Sequence, residues 1–510
     1  MGLRSVLLAS FSVVAIVAAA DAQTPPQPGP DAPAKSDKAT ADAKGKTKTK
    51  TAAHPAAASV PGTAAPHTLI EALAATYSNQ PALLAERAKL RATDENVPTA
   101  LAGWRPNVML GGTAGYGDGL SRALSYFGTN RFYFNTPMQR DIASATATVT
   151  QNVYTGGKIE GDVNRAKSQV MAERATLIAQ EQTSFNNAVS AYVGVIQAKQ
   201  LLELQINNEQ VLAKQLQATN DRFRVGEITR TDVAQAEAAL EGARATRETA
   251  VGSLATARGT FQQYIGVFPP DDLAPPQPLD LPVHSEQEAS VLAAQNNPNV
   301  VAALFNDAAA KDAVDVAFAA LMPQVSVQGQ TFQEQNPGGR SSATNGYQVV
   351  AQLSVPVYQG GSEYSAVRQA KQARQQTQRL IDDAKRTAVQ NAVQAWDTLT
   401  AAKAAADSTR AQIRANEIAL EGVEREAIVG SRTTLDVLNA TQLLLNSRNT
   451  LVQNLAQVIN ASYGVAMAIG RLTARDLRLP VPLYDETAYY QAVKDRWIGL
   501  SDYATGQPGR

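Results

Sequence analysis

The sequence predicts a membrane β-barrel plus all-α fold, built as a tandem repeat whose halves each join barrel strands to long coiled-coil helices. Three observations lead to this prediction. Two segments of the chain are similar, each contains runs of alternating apolar and polar residues, and each continues into 66 residues without proline, at 158–223 and 362–427. A helix of that length extends about 100 Å. Such an element suits a coiled coil or a long bundle and not a compact domain.

The duplication is visible in two short motifs. Residues 225–233 read VGEITRTDV and residues 429–437 read VGSRTTLDV, with Gly226 and Gly430 lying 204 residues apart. YTGG at 154–157 recurs as YQGG at 358–361 with the same offset. Upstream, Asn-Gln-Pro at 79–81 recurs as Asn-Asn-Pro at 296–298, an offset of 217. A repeat of this period indicates two homologous halves and not a solenoid.

Composition excludes several classes of function. Basic and acidic residues balance at 46 each, so the basic footprint of a nucleic-acid-binding protein is missing. Cysteine is absent, and the three histidines lie in or beside Pro/Ala-rich linkers. We therefore predict no enzyme, no cofactor and no metal site.

The N-terminus has the pattern of a secretory signal peptide at 1–22. Arg4 supplies the positive charge, 6–20 is apolar, and Ala20-Asp21-Ala22 fits a cleavage site. An uncleaved membrane anchor is the alternative, although the apolar run is short for one. Residues 23–66 are rich in Ala, Pro and Lys, which predicts a disordered tail. No later apolar run approaches 18 residues, so a secreted chain of this kind is either soluble or crosses a membrane as strands.

Each half has the same order of elements. An opening helix at 68–102 or 285–321 precedes a strand pair, the long helix, and a returning helix at 229–265 or 433–470. The opening and returning helices together match one long helix in length, which predicts that they pack end to end beside it. The predicted divisions are a first repeat at 67–270, a linker at 271–284, a second repeat at 285–480, and a C-terminal extension at 481–510. That extension is expected to pack on the waist of the helices, with a disordered end.

The strands alternate strictly. At 143–149 the odd positions are Ala or Val and the even positions are Ser or Thr, and 324–330 and 347–357 show the same period. This period is typical of barrel strands that face lipid on one side and a polar lumen on the other. A half-buried strand of a soluble sandwich is the alternative. The connections at 117–140 and 333–345 are predicted loops, and the first carries either an interfacial aromatic girdle or a packed aromatic cluster: Tyr126, Phe127, Phe132, Tyr133 and Phe134.

Glycines mark the joints between elements. A Gly-Gly pair occurs at each strand–helix junction, where its permissive backbone allows a sharp change of direction: Gly156 and Gly157, then Gly360 and Gly361.

The repeated nine-residue motif fits a helix–turn–helix corner. Gly226 and Gly430 stand where a C′ glycine would end the long helix. A T-x-x-D capping box then begins the returning helix, Thr229 with Asp232 and Thr433 with Asp436. Capping by itself accounts for both aspartates.

Four strands per chain are too few to close a barrel, and open strand edges are excluded from lipid. The chain is therefore expected to oligomerise. Symmetry would gather copies of each turn around one axis, so that an acidic residue facing the axis becomes a ring of like charges.

These features resemble the TolC family of outer-membrane channels over 67–480. The resemblance is carried by the tandem halves, V-G-x-x-T-x-x-D-V at each turn, and Tyr-x-Gly-Gly before each long helix. It implies a homotrimer with a twelve-stranded barrel in the outer-membrane lipid of a Gram-negative bacterium and a helical tunnel in the periplasm. It also implies a periplasmic adaptor and an inner-membrane transporter of the ABC or RND class as partners.

The resemblance also implies roles for individual residues. Asp436 and Asn439 match the pair that narrows the periplasmic aperture, with an amide replacing the second carboxylate. Thr231, Asp232 and Arg432 match the latch of the closed state, whereas the family's latch tyrosine falls near Ala427. The hairpin tips, where the adaptor is expected to dock, contain Val225, Gly226, Thr229, Val429, Gly430 and Thr433.

The predicted function is a passive, gated exit duct. Residues 430–452 look especially close to the founding member, which favours type I protein secretion, with multidrug or small-molecule efflux as the alternative. A secreted trimeric coiled-coil stalk or adhesin is an alternative of another class. It does not explain symmetric strand pairs or returning helices.

Overall fold

The computed structural model describes residues 66–137, 140–337 and 341–500. The predicted signal peptide, the tail up to residue 65, and residues 501–510 lie outside the described part of the chain. The first half runs in the order α1 (Leu69–Asn79), α2 (Pro81–Asp94), α3 (Asn96–Leu101), β1 (Asn107–Gly117), β2 (Leu120–Phe127), β3 (Asn130–Pro137), β4 (Arg140–Tyr154), α4 (Lys158–Arg224) and α5 (Arg230–Ile265).

The second half repeats this order without the β2–β3 insertion. It contains α6 (Glu286–Asn296), α7 (Pro298–Ala319), β5 (Gln324–Gln335), β6 (Ala343–Ser354), α8 (Ser362–Ile428) and α9 (Thr434–Ala468), and a short α10 (Ala488–Val493) lies in the C-terminal extension. The two long helices contain 67 residues each, as the sequence predicted to within one residue. None of the helices within the described ranges is both long and apolar enough to cross a membrane.

The prediction of continuous opening helices at 68–102 and 285–321 was wrong. Both helices break at a proline, after Asn79 and after Asn296, because Gln80 and Asn297 adopt extended backbone with ψ of 117° and 127°. Proline disfavours helical backbone in the residue before it, and it is well placed at the first position of a new helix. Pro81 and Pro298 therefore each start a second helix.

Strands of both halves form one antiparallel sheet in the order β1-β4-β5-β6. Directly paired residues share a face of a sheet. One such row runs Val108, Val149, Gly329 and Val349, and the next row on the same face contains Leu110, Ala147, Thr331 and Tyr347. A row on the opposite face contains Met109, Thr148, Gln330 and Gln348. The alternating sequence therefore gives the sheet one mainly apolar face and one mainly polar face. The apolar face is exposed in the single chain.

The predicted loop at 117–140 contains a second, two-stranded sheet. β2 and β3 pair across a two-residue turn at Gly128 and Thr129, and Gly128 has a φ of +65°. Arg122 stacks on Tyr133 at 5.2 Å and Arg131 on Tyr126 at 6.0 Å. All five aromatic residues of this segment are exposed, so the packed-cluster alternative was wrong. Cross-strand pairs of this type are what stabilises a hairpin.

The opening and returning helices lie end to end beside the long helices, as predicted. In the first half, the C-terminal glycine of α5, Gly266, lies beside Asn79 at the end of α1. In the second half, Gly470 follows α9 and lies against Asn296 at the end of α6. The Asn297 side chain also donates a hydrogen bond to the Ala468 carbonyl at 3.1 Å. The two halves therefore repeat the same junction.

The main hydrophobic core surrounds the middle of α4. Phe185 and Tyr192 from α4 are fully buried against Leu73 of α1, Leu83 of α2 and Phe261 of α5. The Tyr192 hydroxyl lies 2.9 Å from the His67 carbonyl and 2.8 Å from the Ala274 carbonyl. This core holds the waist of the molecule, between the sheet and the hairpin tips.

A buried arginine attaches the C-terminal extension to that core. Arg87 is 1% exposed, and its guanidinium lies 4.4 Å from the Tyr77 ring and 5.2 Å from the Tyr484 ring. The Tyr484 amide donates to the Tyr77 hydroxyl at 2.9 Å. Glu181 accepts a hydrogen bond of 2.6 Å from the Ala474 amide, and burial raises the pKa of its carboxyl.

The C-terminal helix α10 covers a second buried carboxyl. Tyr489 donates to Glu95 at 2.9 Å and Tyr490 lies 5.6 Å from the Arg174 guanidinium. Asp94, the residue before Glu95, is fully buried, and neither carboxyl oxygen has a hydrogen-bond partner within the described residues. Burial raises the pKa of Asp94 to about 7, with Arg174 and Arg91 opposing the shift and Glu95 and Glu486 adding to it.

We expect wild type to become less stable as the pH rises from about 4 to 7, and we expect Asp94→Asn to lack this decrease. The unfolded carboxyl ionises near 3.8 and the folded one near 7. The folded state therefore holds a proton that the unfolded state has released, and its stability falls as pH rises through this window, by about 1.4 kcal/mol per pH unit at most. Thermal unfolding of both proteins in detergent from pH 5 to 8 measures the difference. Asp382→Asn, at an exposed ion pair on α8, is the control. A gap between Asp94→Asn and wild type that does not change with pH contradicts this assignment.

Candidate functional site at the hairpin tips

The candidate site consists of two turns at the ends of the long helices, tip 1 at 221–233 and tip 2 at 425–437. Both long helices end in a Schellman motif, in which the last carbonyls are bonded by the turn. In tip 1, Gly226 donates to Phe223 at 3.0 Å and Glu227 to Arg222 at 3.1 Å. Gly430 and Ser431 repeat these bonds to Ala427 and Glu426 at 3.3 and 3.0 Å. Both glycines have φ near +80°, a conformation that favours glycine.

A complete capping box starts each returning helix, as predicted. The Asp436 carboxylate accepts hydrogen bonds from the Thr433 amide at 3.0 Å and the Thr433 hydroxyl at 2.9 Å. Asp232 makes the same bonds to Thr229, at 2.9 and 2.7 Å. The bonds from Thr433 lower the pKa of Asp436, first through the backbone amide, and the bonds from Thr229 lower the pKa of Asp232. Each tip therefore carries an ionised carboxylate at neutral pH.

Each tip also contains an ion pair that sequence reasoning missed. Arg222 on α4 pairs with Glu227 on the turn at 3.0 Å, whereas Glu426 on α8 pairs with Arg432 on the turn at 2.8 Å. The two tips thus place their charges in opposite order along the chain. Opposite charges five or six residues apart across a C′ glycine were a signal that could have identified both pairs.

The predicted latch residues do not meet within this chain. Arg432 contacts Glu426, and this carboxylate raises the pKa of the guanidinium. Asp232 bonds to Thr229, and Thr231 is exposed beside it. Ala427, near which the family's latch tyrosine was predicted to fall, is buried.

The predicted aperture residues lie on one side of α9. Asp436 is half-buried, and Asn439 follows it by one turn of the helix and is exposed. Asn439 lines a cavity of about 640 Å³ between the two hairpins, together with Asn208 on α4 and Gln235 on α5. Asn439 therefore faces the seam between the halves, whereas Asp436 is not among the residues that line this cavity.

Apolar side chains are exposed on both tips. Val225 is 72% exposed, and Ile428 and Val429 are 81% and 78% exposed. Sequence reasoning selected the two valines but missed Ile428. These residues give each tip an apolar surface on which another protein can pack.

The strand–helix junctions lie at the opposite ends of the long helices. Gly156, Gly157, Gly360 and Gly361 all have φ between +66° and +89°. A Cβ atom at Gly156 would lie 2.4 Å from the Met322 Cβ, so the junction also requires a close approach. Across the described ranges, no group of three or more His, Cys, Asp or Glu side chains is arranged to hold a metal ion.

The paired helical hairpins, joined to a sheet with one apolar face, define the class of outer-membrane channel proteins. Residues 72–267 and 289–471 match the family model described as outer membrane efflux protein. The chain belongs to this family, and it is an outer-membrane protein.

Three relatives show the range of the family. The outer membrane efflux protein BepC of Brucella suis is 33% identical over 434 residues, which cover 85% of this chain and 92% of BepC. TolC of Vibrio cholerae is 26% identical and covers 82% of this chain and 94% of its own length. The alkaline protease secretion protein AprF of Pseudomonas aeruginosa is 26% identical over 59% of this chain and 64% of its own length.

Solved structures agree on the fold. The channel protein CusC superposes with a TM-score of 0.69 at 15% identity, covering 79% of this chain and 91% of its own. VceC of Vibrio cholerae gives a TM-score of 0.66 at 18% identity, with 79% and 96% covered. At these identities the likeness concerns the fold and not the substrate.

Proposed function

We propose that three copies of this chain form the passive exit duct of a tripartite export system. The observation that carries the proposal is the separation of two surfaces within one chain. An exposed apolar sheet face lies at one end of helices about 100 Å long, and ionised, apolar-rimmed tips lie at the other end. The sheet face suits lipid, and the tips suit a protein partner.

The sheet requires other copies of the chain. Four strands cannot enclose a lumen, and lipid does not hydrogen-bond the free edges of β1 and β6. Three copies supply twelve strands, with the apolar rows toward lipid and the Thr and Gln rows toward the lumen. The same symmetry joins six helical hairpins into a tunnel below the barrel.

At the far end of that tunnel, three copies of Asp436 form the selective ring. Hydrogen bonds from Thr433 keep each carboxylate ionised in the single chain, and crowding around the axis opposes this by raising some of the pKa values. Asn439 contributes amides one turn farther along. The ring therefore holds three carboxylates, which attract divalent cations less than six would.

The latch is proposed to act between hairpins. In the single chain Arg432 is held by Glu426, so a bond from Arg432 to Asp232 would have to replace or share that pair. Both side chains of the pair are 51% exposed, and exposed ion pairs are weak enough to exchange. The missing latch tyrosine at Ala427 removes one further bond, so a loosely closed state is expected.

The tips are the proposed docking surface for a periplasmic adaptor. Val225, Val429 and Ile428 supply exposed apolar contacts, and the turn geometry set by Gly226 and Gly430 keeps them at the extreme end of each hairpin. The adaptor would in turn connect the duct to an inner-membrane transporter of the ABC or RND class.

Single-channel recording tests the duct and its ring together. Asp436→Asn keeps the shape of the cap and removes the charge, so we expect the Mg²⁺ concentration for half-block to rise about tenfold, equal to about 1.4 kcal/mol. Asn439→Asp adds three carboxylates and should lower that concentration. Asp407→Asn, at an exposed ion pair on α8 outside the tips, is the control. Equal block in all four proteins would contradict the ring, and absence of any channel would contradict the duct.

For the cargo, we propose protein export of the type I kind, with small-molecule efflux as the competing function. The resemblance to AprF, named for protease secretion, supports the first, and the higher identity to BepC, named for efflux, supports the second. A deletion strain separates them. Loss of a secreted protein from the medium with unchanged drug susceptibility supports export, whereas increased susceptibility with unchanged secretion supports efflux.

A further inference from the structure

The C-terminal segment at 496–500 runs from α10 to the base of the barrel sheet. Arg105, two residues before β1 begins, donates a hydrogen bond of 2.6 Å to the Arg496 carbonyl. The Arg105 guanidinium also lies 4.9 Å from the Trp497 ring. These contacts place the segment at the level where the strands start, although it lies almost 400 residues away in sequence.

The segment has a defined turn. The backbone amide of Arg496 donates to the Val493 carbonyl at 3.0 Å, and the side-chain Nε of Arg496 donates to the Ile498 carbonyl at 3.2 Å. Gly499 has a φ of +121°, and a Cβ atom there would lie 2.4 Å from the Arg496 guanidinium. The positive φ favours glycine at this position, and hydrogen bonds hold the backbone of the segment.

This turn exposes three large apolar side chains. Trp497 is 66% exposed, Ile498 is 90% exposed and Leu500 is fully exposed. Removing a side chain of this size from water is worth about 1.5–3 kcal/mol. A structured turn that exposes three of them within four residues is typical of a surface that binds an apolar partner.

We propose that Trp497, Ile498 and Leu500 form an anchor that inserts into the periplasmic leaflet of the membrane surrounding the barrel. The inference rests on the proposed placement of the sheet in lipid. Its main support is that the segment lies next to the apolar face of the sheet. Arg105, which contacts the segment, precedes Val108, the first residue of that face, by three residues. Tryptophan prefers the membrane–water interface, and the Arg105 guanidinium beside the ring is a type of group that binds lipid phosphate. The anchor would attach the helical waist, through α10, to the membrane.

Quenching by brominated lipid tests the anchor. The full-length protein with Trp104→Phe and Trp396→Phe keeps Trp497 as its one tryptophan. It is reconstituted into phosphatidylcholine–phosphatidylglycerol vesicles with or without bromine near the headgroup end of the acyl chains. We expect bromine to lower the emission about twofold, as for a ring at the interface. Adding Ile498→Asp and Leu500→Asp should restore most of the emission without dissociating the oligomer. Ile418→Asp, at a 72% exposed residue on α8, is the control and should leave the quenching of Trp497 unchanged.

The other outcomes are distinct. Unquenched Trp497 in vesicles that conduct ions overturns the anchor and leaves the proposed duct intact. Loss of the oligomer in the double aspartate variant, with Trp497 unquenched in its parent, assigns the segment to contact with a neighbouring copy. Failure of the protein to insert into the vesicles overturns the anchor and the duct together.

Discussion

Replacing Arg87 with alanine is expected to lower the free energy of unfolding by about 3–5 kcal/mol, the usual cost of truncating a large, fully buried side chain. Two effects combine. The guanidinium packs against the rings of Tyr77 and Tyr484, so its removal leaves a cavity between α2 and the C-terminal extension. The same change leaves Glu181 without a charge that opposes the effect of burial on its pKa.

Chemical denaturation followed by helix circular dichroism in detergent measures this effect. The denaturation midpoint of Arg87→Lys should lie between those of wild type and Arg87→Ala, because lysine keeps the charge but lacks the planar group that stacks on both rings. Arg379→Ala removes an arginine whose side chain is 86% exposed and serves as the control. If Arg87→Ala unfolds at the same midpoint as Arg379→Ala, the guanidinium does not stabilise the waist.

Gly470→Ala is expected to destabilise the protein for two independent reasons. Gly470 has a φ of +79°, which costs an alanine about 1–2 kcal/mol. In addition, the new Cβ would lie 2.6 Å from the Asn296 carbonyl oxygen. Relieving that overlap requires backbone movement where α6 ends, next to the buried bond between Asn297 and Ala468.

The duplication supplies a matched control in Gly266. This glycine occupies the equivalent place in the first half and has a φ of +90°, but a Cβ there would meet Asn79 at an ordinary 3.7 Å. Gly266→Ala should therefore lose only the stability that a left-handed backbone costs an alanine. Gly470→Ala should lose that amount and, in addition, the free energy needed to relieve the overlap with Asn296. Equal losses of stability in the two variants would show that the contact with Asn296 relaxes freely.

The hairpin tips were predictable because the interactions that form them are local. The Schellman bonds and capping boxes join residues three to five apart, so Gly226 with Thr229 and Asp232 already contain the information for the turn. The long helices follow for a similar reason, since an uninterrupted stretch of helix-forming residues has no signal that would stop it. Their predicted ends differ from those in the structure by one residue.

Other errors came from reading apolar periodicity without its local interruptions. The opening helices kept their apolar pattern through Pro81 and Pro298, yet proline changes the backbone of the preceding residue whatever the pattern. The β2–β3 hairpin had a usable signal, two aromatic-rich runs on either side of Gly128 and Thr129. The hairpin was not predicted, because the Gly, Asn and Ser content of this segment also fits a loop.

The sequence by itself determined the duplication, the elements of each half, the turns and the membership of a channel family, because these depend on residues near one another or on similarity along the chain. Tertiary structure alone decided which strands pair and in what register. That register places the apolar rows of both halves on one face of the sheet. It also decided that Asn297 bonds to Ala468 and that Trp497 reaches Arg105. Such contacts depend on where side chains arrive after the helices have packed, and neither spacing nor composition specifies that position.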